Sequence, residues 1–445
     1  MAYVHDGDLI MALTAGHYAT DTRTKLNRNQ VKGFWAAWGG WTLDGMDSFI
    51  YALVAVPALM ELLPRSGIVA TPRNVGFYFS GLQALFLLGY GLSMVWGPIA
   101  DRFGRVRALI LTILFYSVFT FLCGVVTNIW QLALLRVLCG IGLGGEQPMG
   151  GTFVAEEWPE DRRKMGVGYM YTGYFFGLFL AAIANYYIGA NFGWRWMFFL
   201  GGAPALLVGW IQTGVREPAA WQTRAADERQ HPRMRDGLAA LFSPEYKRRT
   251  IVNSLLFSVS IIGLYSGSTY VPTAVTEIAR REGFAQAAQV RLASYGSMVL
   301  SIATIIGCVL APVLAEHLGR RRAMGLYFVV LGVAVAIAYG YVFYTPMALA
   351  AFFFLIFFLG IGAALFALYT LWLPEQYSTD CRASAIAFVS SVGRFVGVPM
   401  TFLVGAGIKS YGSLGIPVAV TATALLLGLI LLPLAVETRG KPLPA

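Results

Sequence analysis

Charge is what this chain has least of. Only 13% of its 445 residues are Asp, Glu, Lys or Arg, about half of the roughly 25% usual in a soluble chain. That shortage excludes a water-soluble enzyme of this size. With 57% hydrophobic residues, disorder is excluded as well. Cysteine is also scarce. Cys123, Cys139, Cys308 and Cys381 are scattered with no CxxC pairing, so neither a disulfide framework nor a zinc site has support. The four histidines, His5, His17, His231 and His317, fall in the polar tail or in loops. None stands at membrane depth, which argues against a membrane-embedded metalloenzyme. The first 32 residues are polar and lack the apolar core of a signal peptide.

Apolar residues are abundant and come in long runs. Stretches able to cross roughly 30 Å of hydrocarbon recur at 34–60, 76–99, 108–127, 130–153, 166–190, 195–214, 250–274, 293–314, 323–344, 348–373, 385–408 and 412–434. The expected fold is therefore all-α and polytopic, with twelve transmembrane helices. The net charge of +10 has a place in such a chain. With the N-terminus inside, 24 Lys and Arg fall in cytoplasmic segments and 7 in outer loops, and Arg136 and Arg394 lie inside spans. This asymmetry predicts cytoplasmic termini. A nucleic-acid partner is not expected, because the aromatics lie within the apolar runs and not among the basic residues.

The longest polar interval divides the chain into a tail (1–32), a six-helix half (33–214), a cytoplasmic linker (215–249), a second six-helix half (250–435) and a C-terminal tail (436–445). The halves echo one another. Gly97-Pro-Ile-Ala-Asp-Arg-Phe-Gly-Arg-Val-Arg107 follows span 2, and Ala315-Glu-His-Leu-Gly-Arg-Arg-Arg322 follows span 8. Glu156-Glu-Trp-Pro-Glu-Asp-Arg-Arg163 after span 4 is matched by Pro374-Glu-Gln-Tyr-Ser-Thr-Asp-Cys-Arg382 after span 10. Repeated halves with a site between them are a transporter design.

These motifs resemble the major facilitator superfamily. Gly97 to Arg107 is similar to its signature between helices 2 and 3. Arg136-x-x-x-Gly140-x-Gly142-x-Gly144 resembles its proton-coupling motif, and Glu437 to Leu443 resembles a tail found in many members. Within the superfamily, Asp44-Gly-Met-Asp47 resembles the sialate/lactate:proton and aromatic-acid:proton symporters. Thr152 to Pro159 and Gly193-Trp-Arg-Trp-Met-Phe-Phe199 look closer to the sialate group. Eukaryotic lactate carriers of that group place His, Gln and Asp on helix 7. Here Tyr265-Ser-Gly-Ser-Thr-Tyr-Val-Pro-Thr273 departs from that pattern. The resemblance implies a transporter and not an enzyme, in a bacterial inner membrane, working as a monomer by alternating access. It would need no cofactor beyond the proton as coupling ion, and its partners would be the lipid bilayer and a small organic acid.

Each charge at membrane depth costs at least about 2.5–3.5 kcal/mol and requires a reason. Asp44 and Asp47 lie within one helical turn. Their mutual repulsion and burial both penalise a second negative charge, as a proton-carrying pair requires. The alternative is one aspartate paired with a neighbour and the other capping a helix break at Gly45. The resemblance makes Arg136 their ion-pair partner, either exchangeable or permanent, and its guanidinium fork could hold either an aspartate or the substrate. Glu146 stands roughly 15 Å further along the same span, as a proton relay or an inner-gate lock. Arg394, with Ser390 and Ser391 one turn before it, offers a carboxylate substrate a fixed cation. It could instead pair with Glu375 or Asp380. Tyr171, Tyr174, Asn185, Tyr265, Ser268 and Thr269 are candidates to line the cavity. The glycines at 140, 142, 144, 166, 168, 173 and 177 suit close helix packing more than ligand contact. By the family pattern, Asp101 and Arg105 hold the inner side shut against Glu156, Glu157 and Arg163, mirrored by Glu316 and Arg320 near Glu375 and Arg382. A proton-coupled importer of an organic carboxylate is the leading expectation. A sugar or polyol carrier and a drug exporter are the alternatives.

Overall fold

The computed structural model describes residues 24–96, 99, 105–145, 154, 158–205, 239–378 and 381–441. Among them no strand occurs, and the helices fall into twelve consecutive segments. They are α1 (Arg28–Arg65), α2 (Pro72–Leu92), α3 (Arg105–Cys123), α4 (Ile129–Leu143), α5 (Glu160–Ala184) and α6 (Trp194–Leu200). In the second half α7 has two pieces, α7a (Lys247–Leu264) and α7b (Val271–Arg281), followed by α8 (Gln286–Leu318) and α9 (Arg320–Gly340). Then come α10a (Leu349–Ala363), α10b (Leu365–Trp372), α11 (Arg382–Tyr411), α12a (Gly415–Val420) and α12b (Ala422–Leu431). Ten helical runs are long and apolar enough to cross a membrane, and α4 and α6 are the shorter described stretches.

Several helices outrun the apolar stretches that announce them. The first span, expected at 34–60, extends to Arg28 on one side and Arg65 on the other. Asn27 and Gln30 close a reciprocal cap at its start, so polar residues continue the helix beyond the hydrocarbon. Likewise α8 begins seven residues before its expected start at 293 and ends at Leu318. α7a starts at Lys247, so the last residues of the expected linker already belong to the second half. The expected span 250–274 is also not one straight helix. A π-helical turn at Tyr265–Thr269 separates its pieces, and a second such turn, Asn185–Gly189, follows α5. Single π turns often mark functional positions.

Glycines set how closely the helices approach. Gly45 lies against the Tyr174 backbone and Gly177 against that of Thr42, locking α1 to α5. α1 runs unbroken through Gly45, so the alternative of an aspartate capping a break there is overturned. Gly89 of α2 and Gly140 of α4 interlock in the same way, each against the other's backbone. Across the halves, α2 packs on α11 and α5 on α8. Ser80 and Tyr270 hydroxyls meet at 2.6 Å, Asn185 Nδ2 donates to Ser294 Oγ at 3.0 Å, and Tyr295 donates to Tyr186 at 3.2 Å. These three bonds lie toward the end of the bundle where α1 and α5 finish and α2 and α8 begin. Large apolar side chains such as Ile302, Val309, Val313, Phe354 and Ile430 point outward, while the polar side chains discussed next are turned inward. A membrane solvent produces this inverted arrangement.

Candidate functional site

The unbroken α1 carries Asp44 and Asp47 into the centre of the bundle, where they are 0% and 1% exposed. Their three-residue spacing aims them at different neighbours. Asp44 accepts from Ser48 Oγ at 3.1 Å and from the Tyr90 hydroxyl at 3.3 Å. Asp47 accepts at Oδ2 from Thr120 Oγ1 at 2.7 Å, and the same hydroxyl lies 3.4 Å from Cys139 Sγ. Asp47 Oδ1 has no hydrogen-bond partner. Gly201, past the end of α6, leaves that oxygen its room, since a methyl there would stand 2.9 Å away.

Arg136 does not form the ion pair the sequence suggests. It is 0% exposed, yet none of its three guanidinium nitrogens has a hydrogen-bond partner. The planar group instead lies on two rings, 4.6 Å from the centroid of Tyr51 and 4.2 Å from that of Phe86. Helix geometry explains this. The interlocked Gly89 and Gly140 bring α2 so near α4 that Phe86 reaches the guanidinium face. Aromatic faces attract cations, by about 2 kcal/mol or more when desolvated, but leave the N–H groups unsatisfied. Asp47 feels the Arg136 charge without bonding to it.

Arg394 reaches across to the first half. It is 5% exposed, its guanidinium lies 4.0 Å over the Tyr90 ring, and its charge acts on Asp44. The alternative pairing with Glu375 is overturned, because that carboxylate is held by Arg320 and Thr438. Asp380 lies outside the described residues. Ser390 donates to the Ala387 carbonyl of its own helix, and Ser391 is buried nearby.

Tyr174 packs on Trp41 and Phe49, with centroids 5.2 and 5.6 Å apart, and Tyr265 pairs with it from the α7 break. Ser268 and Thr269 are buried in the π turn, Ser268 donating back to the Leu264 carbonyl. Tyr171 stacks on Phe366 of α10b across the halves. Of the gating residues, Glu316, Arg320 and Glu375 come together. Arg320 bonds Glu375 through Nε and Nη2 at 3.0 and 2.8 Å, and Glu316 at 2.8 Å. Asp101, Glu146, Glu156 and Glu157 lie outside the described residues. Arg105, Arg163 and Arg382 fall near the first turns of α3, α5 and α11, with their side chains outside the described set.

Sequence reasoning missed Tyr51, Phe86, Tyr90 and Thr120. The spacing of Phe86 and Tyr90 places them on one helix face, and Ser48 stands one turn from Asp44. No local signal shows that these faces meet arginines from α4 and α11.

Two carboxylates and two guanidiniums enclosed by apolar helices from both halves define a polytopic membrane transporter. The chain belongs to the Major Facilitator Superfamily, whose sequence profile matches residues 37–398. It is 28% identical over 427 residues to a "Probable 4-methylmuconolactone transporter" of Cupriavidus pinatubonensis, covering 92% of this chain and 91% of the relative. It is 29% identical over 212 residues to the "Sialic acid transporter NanX" of Escherichia coli, 46% of this chain and 48% of that one. The solved structure of the xylose transporter XylE from E. coli superposes with a TM-score of 0.71 at 18% identity, over 94% of this chain and 100% of that one. That likeness establishes the fold. The expected resemblance to the sialate group is thus met by a named relative, and the chain is a transporter and not an enzyme.

Proposed function

We propose that this protein imports an organic carboxylate together with protons, by alternating access, across the inner membrane of a bacterium, with both termini in the cytoplasm. The observation that carries the reading is the Arg136 guanidinium, fully buried with all three nitrogens unbonded. Leaving buried donors unpaired costs roughly 1–3 kcal/mol each, more for charged groups, so such a group is kept for something that arrives. A carboxylate satisfies a guanidinium fork bidentately. Arg394, reaching in from the second half, supplies a second cation that a neutral sugar would not require. The buried aspartates, each held by hydroxyl donors, are suited to carrying a proton. The relatives named for 4-methylmuconolactone and sialic acid support a small organic substrate.

Uptake of labelled 4-methylmuconolactone, sialic acid and a panel of simple carboxylates into proteoliposomes tests this. Accumulation should require an inward proton gradient, collapse with a protonophore and ignore sodium. Sodium-dependent, protonophore-insensitive uptake would overturn it. Asp44→Asn should still exchange substrate across the membrane but lose uphill accumulation, since exchange needs no net proton release.

A further inference from the structure

The nest around Arg136 holds orphaned groups of both kinds, donors and an uncharged acceptor. The donors are the three unbonded nitrogens of Arg136. The acceptor is Gln83 of α2, which is 2% exposed and has its amide oxygen Oε1 unbonded. Gln83 stands four residues after Phe79 and three before Phe86, on the helix face that both rings share. Phe86 lies 4.2 Å from the Arg136 guanidinium, and Phe79 stacks at 5.4 Å on Tyr51, the second ring against that group. α2 and α4 run side by side in the same direction, with Phe86 at Gly140 and Ser93 at Gly144. That register puts Gln83 within about one turn of Arg136. The two share a nest and do not bond each other.

We infer that the substrate is a carboxylate with a hydroxyl on the neighbouring carbon, a 2-hydroxy acid, and that Gln83 is the residue that reads the hydroxyl. This rests on the carboxylate-symport reading above. An ionised carboxylate supplies acceptors only. It satisfies Arg136 and leaves the buried amide oxygen of Gln83 without a donor. Asp47 Oδ1 is a second unbonded acceptor near Arg136, but a carboxylate can take its donor as a proton. An amide oxygen takes up no proton at neutral pH, so its donor has to arrive on the ligand. An ammonium group would bring a second positive charge beside the guanidinium, and a hydroxyl brings none. A site built to bond a substrate hydroxyl rejects the analogue that lacks it, because its own polar group then stays buried and unpaired. Arg136 thus supplies the attraction for the acid, and Gln83 decides which acid is held.

Pairs of acids that differ by this hydroxyl test the inference on the purified full-length protein. They are mandelate against phenylacetate, malate against succinate, and sialic acid against its 2-deoxy form. Both members of each pair are ionised at neutral pH, so Arg136 meets the same charge. Apparent affinities come from the rise in melting temperature with acid concentration. In the pairs that bind, the hydroxylated member should bind about 5- to 150-fold more tightly. Gln83→Met keeps the length of the side chain and removes the acceptor. It should bring that ratio to within about threefold of one, while binding the hydroxyl-free acid at least as well as the unmodified protein. Without ligand it should melt no lower, since the amide oxygen holds no partner; a structural role would show as a lower melting temperature. Equal binding of the two members by the unmodified protein overturns the inference, even where the variant fails to fold. So does a preference that survives Gln83→Met, or a loss that strikes both members alike, which would put the amide on the carboxylate or in the packing. If no acid of either kind binds, the carboxylate reading itself fails and takes this inference with it.

Discussion

Arg136 and Arg320 are equally buried, at 0% and 1% exposure, and surrounded by opposite chemistry. Arg320 has carboxylates on two sides, Glu375 and Glu316, with the Ala315 carbonyl on its remaining nitrogen. The same knot ties down the C-terminal segment. Thr438 bonds Glu375, and Glu437 accepts the backbone N–H groups of Arg320 and Arg321. Arg136 has ring faces and no hydrogen bond at all. A saturated cation has nothing left to offer a ligand, so its role is to hold helix ends together. An unsaturated one keeps its donors for something else. Burial and residue type are identical in the two cases, and only the partners tell them apart.

The largest expected effect follows directly. Arg320→Met should destabilise the protein by about 3–5 kcal/mol, because Glu375 is left as a buried charge without its cation. Arg136→Met should cost far less stability, since it breaks no hydrogen bond and takes from Asp47 only an unbonded neighbouring charge, while abolishing transport. Melting temperatures and proteoliposome uptake of both variants check this together, and a large stability loss for Arg136→Met would break the contrast.

Arg394 sharpens the contrast from the other half, where its guanidinium lies over the Tyr90 ring and its charge acts on Asp44. Arg394→Lys keeps the charge and loses the fork. Charge-assisted hydrogen bonds are worth about 1.5–3 kcal/mol, so substrate should bind roughly 10- to 150-fold more weakly. Equilibrium binding to purified protein reads this, and unchanged affinity would remove Arg394 from the substrate site.

The smallest effect belongs to the edge of the Arg320 knot. Burial penalises the charged Glu437 carboxylate, but four backbone N–H groups, from Arg321, Arg320, Arg439 and Thr438, outweigh it and hold the group below its usual range. A carboxyl lowered in the folded state stabilises above its unfolded value, near 4.3, and that stability is lost as pH falls through the folded value. Glu437→Gln should therefore lower the melting temperature at pH 7 by about 2–4 °C. The gap between variant and unmodified protein should close in more acid solution. A gap that widens on acidification would contradict the sign.

Much of the candidate site was legible beforehand. Asp44, Asp47, Arg136 and Arg394 stand out because charge in an apolar run is costly wherever the helix ends up, and the repeated loops brought Glu316, Arg320 and Glu375 under suspicion together. The partners were not legible. Arg136 is expected on a carboxylate and lies on Tyr51 and Phe86, and Arg394 is expected to meet a substrate carboxylate, Glu375 or Asp380 and lies over Tyr90. A tyrosine in an apolar run carries no mark that separates a lipid-facing ring from one beneath a guanidinium.

The amino-acid sequence by itself determined the membrane solvent, the number and order of the helices and the identity of the charges drawn inside. Each of these depends on composition and period along one helix, which are local properties. Tertiary structure alone decided which face of α2 meets α4 and α11, because that depends on how far two helices can approach. Glycines at 89, 140 and 144 set the distance between α2 and α4, and those at 91 and 405 the distance between α2 and α11, and Phe86 and Tyr90 come to lie against the two arginines.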